Sequence, residues 1–155
     1  MITALRIGAA VTAWACLGGV VTPARAQAPA GADVYRLCAN CHMANGEGLT
    51  GAYPPLARSE YVTGRAETLV AIILAGLEGP VTVRGRTYDS AMPPWKNVLS
   101  DDEVAAVATY VRQSFGNRAA PVTAATVRAV RAQVADRIRP LRVEDLPTVS
   151  NPAPR

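Results

Sequence analysis

The apolar positions of this chain recur at helical spacing over most of its length. Residues 66–75 put Leu69, Ile72, Ile73 and the closing Gly76 on one face, with Thr63 as an N-cap. A stronger pattern starts at Ser100-Asp101-Asp102-Glu103, a capping box with an acidic first turn. It predicts a helix to about Phe115, striped by Val104, Val107, Ala108, Val111 and Phe115 and ended by Gly116-Asn117. A further helix is predicted over residues 123–139, with Thr123 as cap, Val127, Val130, Val134 and Ile138 as its stripe, and Pro140 as its stop. A short helix over residues 32–37 carries Asp33 in its first turn.

Strand-like alternation is confined to Val81-Thr82-Val83 and Thr87-Tyr88, which flank Arg84-Gly85-Arg86 and predict a small hairpin or Ω-loop. Asn45-Gly46-Glu47-Gly48 and Gly51 mark a loop. Tyr53-Pro54-Pro55-Leu56 is forced into an extended path by its prolines. Residues 89–94 are irregular for the same reason. Beyond Pro140 the chain, with Pro147, Pro152 and Pro154, is expected to be extended or disordered.

The amino-terminal pattern is of another kind. Arg6 precedes an uncharged, mostly apolar run from Ile7 to Val21, and Ala24-Arg25-Ala26 has the form of an A-x-A cleavage site. As a helix this run would span ~22 Å, short of the ~30 Å hydrocarbon core. Residues 1–26 therefore predict a cleaved signal peptide and a periplasmic protein. Cys16 would leave with it, so the exported chain keeps only Cys38 and Cys41.

Charge divides the remainder. Residues 31–117 hold 7 basic and 9 acidic groups, whereas residues 118–155 hold 7 arginines and 3 acids. These read as two units: a domain over residues 31–117 and a basic carboxyl-terminal extension over 118–155. A domain of that size buries a modest share of its surface and gains from any large apolar body it can pack around.

Cys38-Ala39-Asn40-Cys41-His42 supplies that body. Two thiols three positions apart, followed by an imidazole, form the attachment site of a c-type haem. The thiols add across the two porphyrin vinyl groups, and His42, the only histidine in the chain, reaches the iron. A thioredoxin-like dithiol would need a βαβ setting, and zinc would need a fourth ligand; neither is offered. One motif implies one haem.

The sixth iron position decides between catalysis and electron transfer, because an open site binds gases or peroxide. Met43 adjoins His42 and cannot reach the opposite ring face. Met92, in Met92-Pro93-Pro94-Trp95, can, and its proline-locked loop leaves little freedom to lose on ligation. A buried thioether raises the potential and closes the site. The Pro54 carbonyl is expected to accept the His42 ring N–H, and Leu56 to pack on the porphyrin. Tyr88, Trp95, Arg84 and Arg86 are candidate partners for its propionates.

The haem motif, the Tyr53-Pro54-Pro55-Leu56-Ala57 strap, Met92-Pro93-Pro94-Trp95, and Leu99-Ser100-Asp101-x-Glu103 through Thr109-Tyr110-Val111-Arg112 together resemble class I cytochromes c, in particular the exported bacterial monohaem domains of dehydrogenase systems. The resemblance covers about residues 31–117. It implies an all-α fold of short helices wrapped around one covalently bound haem, with the terminal helices crossing and with His42 and Met92 as iron ligands. The aromatic of the first helix is displaced by one position, to Tyr35, so Tyr110 is expected against Tyr35 or Val34. The resemblance does not account for the basic extension.

The function implied is single-electron transfer between redox proteins, a donor dehydrogenase and an acceptor oxidase or reductase, with no catalytic residue. The alternative is a dedicated cytochrome subunit in a hetero-oligomer with a periplasmic dehydrogenase, docked through the extension. Nucleic acid is not an expected partner, and membrane contact is at most peripheral. A haem sensor or peroxidase would require Met92 to be displaced.

Overall fold

A computed structural model describes residues 30–146. The expected signal peptide and the tail prolines Pro147, Pro152 and Pro154 lie outside the described residues. The elements are α1 (Gly31–His42), α2 (Glu60–Thr63), α3 (Ala66–Ala75), the hairpin β1 (Val81–Val83) and β2 (Arg86–Tyr88), α4 (Asp101–Gln113), α5 (Ala124–Gln133), and a 3-10 turn over Val143–Asp145. The fold is the all-α one expected, the only sheet among the described residues being the two-stranded hairpin.

The two helices flanking the domain cross closely. Gly31 makes this possible: a Cβ there would lie 2.3 Å from the Ala106 carbonyl oxygen and 2.6 Å from the Tyr110 Cβ. Beyond the crossing, the rings of Tyr35, Tyr110 and Phe115 pack at centroid separations of 5.1–5.7 Å, within the range where tilted aromatic pairs attract. Tyr110 therefore meets Tyr35. The α4 capping box forms as predicted, with the Ser100 and Glu103 side chains each bonding the other's backbone N–H.

α3 is less amphipathic than its stripe implied: every residue from Thr68 to Ala75 is buried. It is enclosed by α2, α4 and α5, so it is a central helix and its composition is apolar all round. Thr63 does not cap it. Thr63 ends the single turn α2 and donates its hydroxyl to the Ser59 carbonyl at 3.0 Å, while α3 starts after Arg65 with no side-chain cap. The hairpin pairs Val81 with Tyr88, Thr82 with Thr87 and Val83 with Arg86. Its turn residues, Arg84 and Gly85, both have positive φ, as a two-residue hairpin turn prefers.

α4 ends at Gln113, two residues short of the predicted Phe115, and two further helices differ more in length from the sequence pattern. α1 continues through the cysteine–histidine motif instead of ending before it, since nothing in residues 38–42 breaks a helix. α5 stops at Gln133, not residue 139, and Ile138 is 97% exposed. The ammonium of Lys96 takes the carbonyls of Val134, Ala135 and Arg137, and the residue before Pro140 is held out of helical conformation.

The basic extension is not a separate unit as far as residue 146. Val122, Val127, Val130, Val134, Leu141 and Leu146 are all buried in the same core cluster as α3 and α4. Its arginines bond to the acidic domain: Arg131 and Arg128 to Asp101, and Arg142 to Glu78. The opposite charges of the two segments mark the two sides of one internal interface.

Candidate haem site

The last turn of α1 carries the chemistry. Cys38 and Cys41 are three residues apart on a helix and so share a face. His42 follows, and Met43 leaves the helix with φ +61° while its N–H still bonds the Ala39 carbonyl at 2.9 Å. The Tyr35 hydroxyl fixes this exit by donating to the Met43 carbonyl at 2.7 Å.

The chain then returns under the histidine. The Gly48 N–H bonds the His42 carbonyl, and Leu49 pairs with Tyr53 to launch the proline strap. His42 Nδ1–H donates to the Pro54 carbonyl at 2.9 Å. A carbonyl can only accept, so the proton resides on Nδ1 and Nε2 keeps its lone pair. Burial lowers the His42 pKa, the Pro54 bond partly opposing it; the ring is a neutral donor at pH 7. The strap is itself held: Asn117, 4% exposed, donates to the carbonyls of Leu56 and Val111 and accepts the Arg58 N–H.

The cysteine–histidine turn and the Met92 loop line one cleft of about 1200 Å³, open mouth included. Leu69, Ile72 and Ile73 of α3 and Val107 and Val111 of α4 form its floor, and Val81 and Val83 of the hairpin border it. The walls are almost wholly apolar, as a porphyrin face requires. Cys38 and Cys41 open onto it, and burial pushes the Cys38 thiol up to about 11, with Cys41 adding to the effect. The donor set on its lining fits a tethered haem: two thiols, one oriented imidazole and one thioether.

Of the residues singled out from sequence, Cys38, Cys41, His42, Pro54, Leu56, Met92 and Trp95 all line this cleft. Tyr88, Arg84 and Arg86 do not. Tyr88 is buried in the core. The Arg84 guanidinium faces Glu47 at 3.7 Å, and its backbone N–H is held by the Glu60 carboxylate. Arg86 is exposed on β2. The polar residues that line the cleft include Tyr53, Ser59, Tyr61 and Ser90. Burial raises the Tyr61 phenol pKa, with Glu60 adding to it. Ser59 and Tyr61 escaped sequence reading because α2 is one turn long, too short to show a period.

The family model described as Cytochrome c matches residues 28–115. The chain belongs to the cytochrome c family. It is 38% identical over 130 residues to cytochrome c-552 of Thermus thermophilus, covering 78% of this chain and 84% of that protein. It is also 38% identical over 109 residues to the cytochrome c subunit of the quinone alcohol dehydrogenase of Gluconobacter oxydans, and 34% identical over 110 residues to the fructose dehydrogenase cytochrome subunit of Gluconobacter japonicus. Those alignments cover 68% and 66% of this chain but 22% of each longer subunit. As a member of the family, the protein is an electron carrier with one covalently attached c-type haem, not a catalyst.

Proposed function

We propose that His42 and Met92 are the two axial iron ligands of this cytochrome, and that it carries single electrons between redox proteins in the periplasm. One observation carries the reading: Met92 and the cysteine–histidine turn line the same cleft, with His42 Nε2 left free by the Nδ1–H bond to Pro54. When bound, the haem supplies a one-electron couple that makes and breaks no substrate bond.

The chain's own residues do the rest. The Pro54 carbonyl holds the imidazole in one tautomer and raises its donor strength. Leu56 and the aliphatic floor exclude water, which keeps reorganisation small. The rigid Met92-Pro93-Pro94 segment presents its sulfur with little entropy left to lose. Ser59, Tyr61 and the Trp95 indole are the hydrogen-bonding groups on the lining suited to propionates. Replacing Met92 with Ala should abolish the near-infrared sulfur-to-Fe(III) band of the oxidised protein and let the reduced protein bind carbon monoxide at neutral pH. A full-strength band in that variant would refute the ligand assignment.

Export is supported by the leader pattern of residues 1–26. Among the described residues no helix is long and apolar enough to cross a membrane. A second reading, a dedicated subunit working beside a dehydrogenase, is favoured by the names of the Gluconobacter relatives. The extension would then dock mainly by charge, since Val127, Val130 and Val134 are used internally and only Ile138 of its stripe is exposed; the signature is an ionic-strength-dependent electron exchange.

A further inference from the structure

We propose that residues 134–141 brace the Met92 loop, with Lys96 as the positioning residue, so that the carboxyl-terminal extension sets how firmly Met92 is held in the cleft. The proposal rests on the reading of Met92 as an iron ligand.

The argument starts at the end of α3, where helix geometry leaves the last carbonyls without partners. Trp95 N–H takes the Ile73 carbonyl at 3.1 Å and Lys96 N–H takes that of Leu74 at 3.0 Å. The Gly76 carbonyl goes to Leu141 N–H, also at 3.1 Å. The Met92 loop and the extension therefore cap one helix end together.

The next residue joins them directly. Leu77 exchanges both backbone bonds with Met92, at 2.8 and 3.1 Å, in an antiparallel bridge. On its other side Leu77 forms a parallel bridge with Leu141, closed by Glu78 N–H to the Leu141 carbonyl at 2.8 Å. Met92, Leu77 and Leu141 thus lie side by side, with Leu77 in the middle. Gly76 leaves no slack beneath: a Cβ there would stand 2.5 Å from the Met92 carbonyl oxygen.

Lys96 fastens the assembly. Its ammonium donates to the carbonyls of Val134 (3.1 Å), Ala135 (2.8 Å) and Arg137 (2.7 Å), committing all three of its N–H groups. These carbonyls lie just beyond the end of α5, where the helix dipole favours a cation. Arg131 answers from α5, bonding the Lys96 and Leu99 carbonyls and Asp101. For the Met92 backbone to move out, the Leu77 bridge must open, and the Lys96 anchor resists that opening.

The test uses the haem-loaded full chain. Imidazole is titrated into the oxidised protein while the near-infrared sulfur band is followed, and amide hydrogen exchange is read at Met92 and Leu77. An outside ligand binds only the fraction of molecules with Met92 displaced, so loosening the brace raises apparent affinity in proportion. Lys96→Met should raise imidazole affinity about tenfold and speed exchange at both amides. Val127→Ala, which removes packing from a wholly buried α5 position outside this bonded set, should lower the unfolding midpoint without raising imidazole affinity. If Lys96→Met loads no haem, Lys96→Gln, which keeps two N–H donors, should show a rise of about threefold. Lys96 variants that stay within about twofold of the parent, or a Val127→Ala rise as large as theirs, overturn the proposal. Met92→Ala keeping the band overturns the ligand reading beneath it; Met92→Ala losing the band with Lys96→Met silent overturns the brace alone.

Discussion

Arg112 is 5% exposed, yet its guanidinium bonds only backbone. Nε donates to the Ala120 carbonyl at 2.7 Å, and Nη1 to those of Val62 and Gly64 at 2.7 and 2.9 Å. Burial lowers its pKa, with Glu67 partly offsetting the effect, but a guanidinium so placed stays charged. It ties the corner between α2 and α3, and the segment after α4, to one helix. Arg112→Met keeps the side chain's length and strips three carbonyls of their donor; at ~1–3 kcal/mol for each buried group left unpaired, the expected loss is about 3 kcal/mol or more. Denaturant unfolding of the haem-loaded protein measures it, and Arg112→Lys should recover little because an ammonium lacks the fork. A loss below about 1 kcal/mol would mean that water replaces the guanidinium. At this scale the sequence was unevenly legible. The Pro54 contact follows from a strap that must pass the histidine. Arg112 lay on the row that continues Ala108 by four residues, a position where an arginine reads as solvated unless the opposing loop is known.

Among the elements, α4 was the most legible because its signals are local. The Glu103 carboxyl, held by the Ser100 backbone N–H and hydroxyl, has a pKa below the ordinary carboxylate value. A depressed folded pKa makes this contribution present above the unfolded pKa of about 4.3, and lost as pH falls through the folded one. Ser100→Ala removes the hydroxyl half of the cap at a cost of about 1 kcal/mol, while the backbone N–H at position 100 still bonds Glu103. In that variant the dependence of stability on pH below 5 should flatten in part, the backbone bond keeping the larger share of the Glu103 shift, as measured by thermal unfolding from pH 3 to 7. An unchanged acid limb would sink the assignment. The elements that eluded pattern reading did so for different reasons. α5 ends early because Lys96, 38–41 residues away, claims its terminal carbonyls. The 3-10 turn at Val143–Asp145 is closed by Arg142 and Asp145, and buried Leu141 and Leu146 hold it down. α1 runs past its expected end because a haem motif is also a good last helical turn. Periodicity sees none of these: the end of α5 is set by a tertiary contact, the 3-10 turn is too short to show a period, and the last turn of α1 carries no apolar stripe.

For the whole molecule, the split between an acidic domain and a basic extension invited a reading as two units, and the contacts invert it. Asp101 receives Arg128 and Arg131, Glu78 faces Arg142, and Arg137 is paired with Asp145. The stripe of valines that could have met a partner is instead packed with α3 and α4. Charge composition alone cannot distinguish a surface that awaits a partner from one that has already found its mate within the chain. What remains for an outside partner is small: Arg118 and Arg139 are exposed, and neither has a carboxylate partner among the described residues. Long-range attraction governs encounter rates more than the strength of the final complex. The double variant Arg118→Glu/Arg139→Glu should therefore slow second-order electron exchange with an acidic redox protein about tenfold at low ionic strength. At ~1 M salt, where screening reaches only ~3 Å, variant and parent should converge. Reduction potential and unfolding midpoint should not move, because neither side chain touches the cleft or the core. Stopped-flow rates across ionic strength decide the matter: parallel salt curves for the two proteins would show that the extension serves the fold alone and steers nothing toward the haem edge.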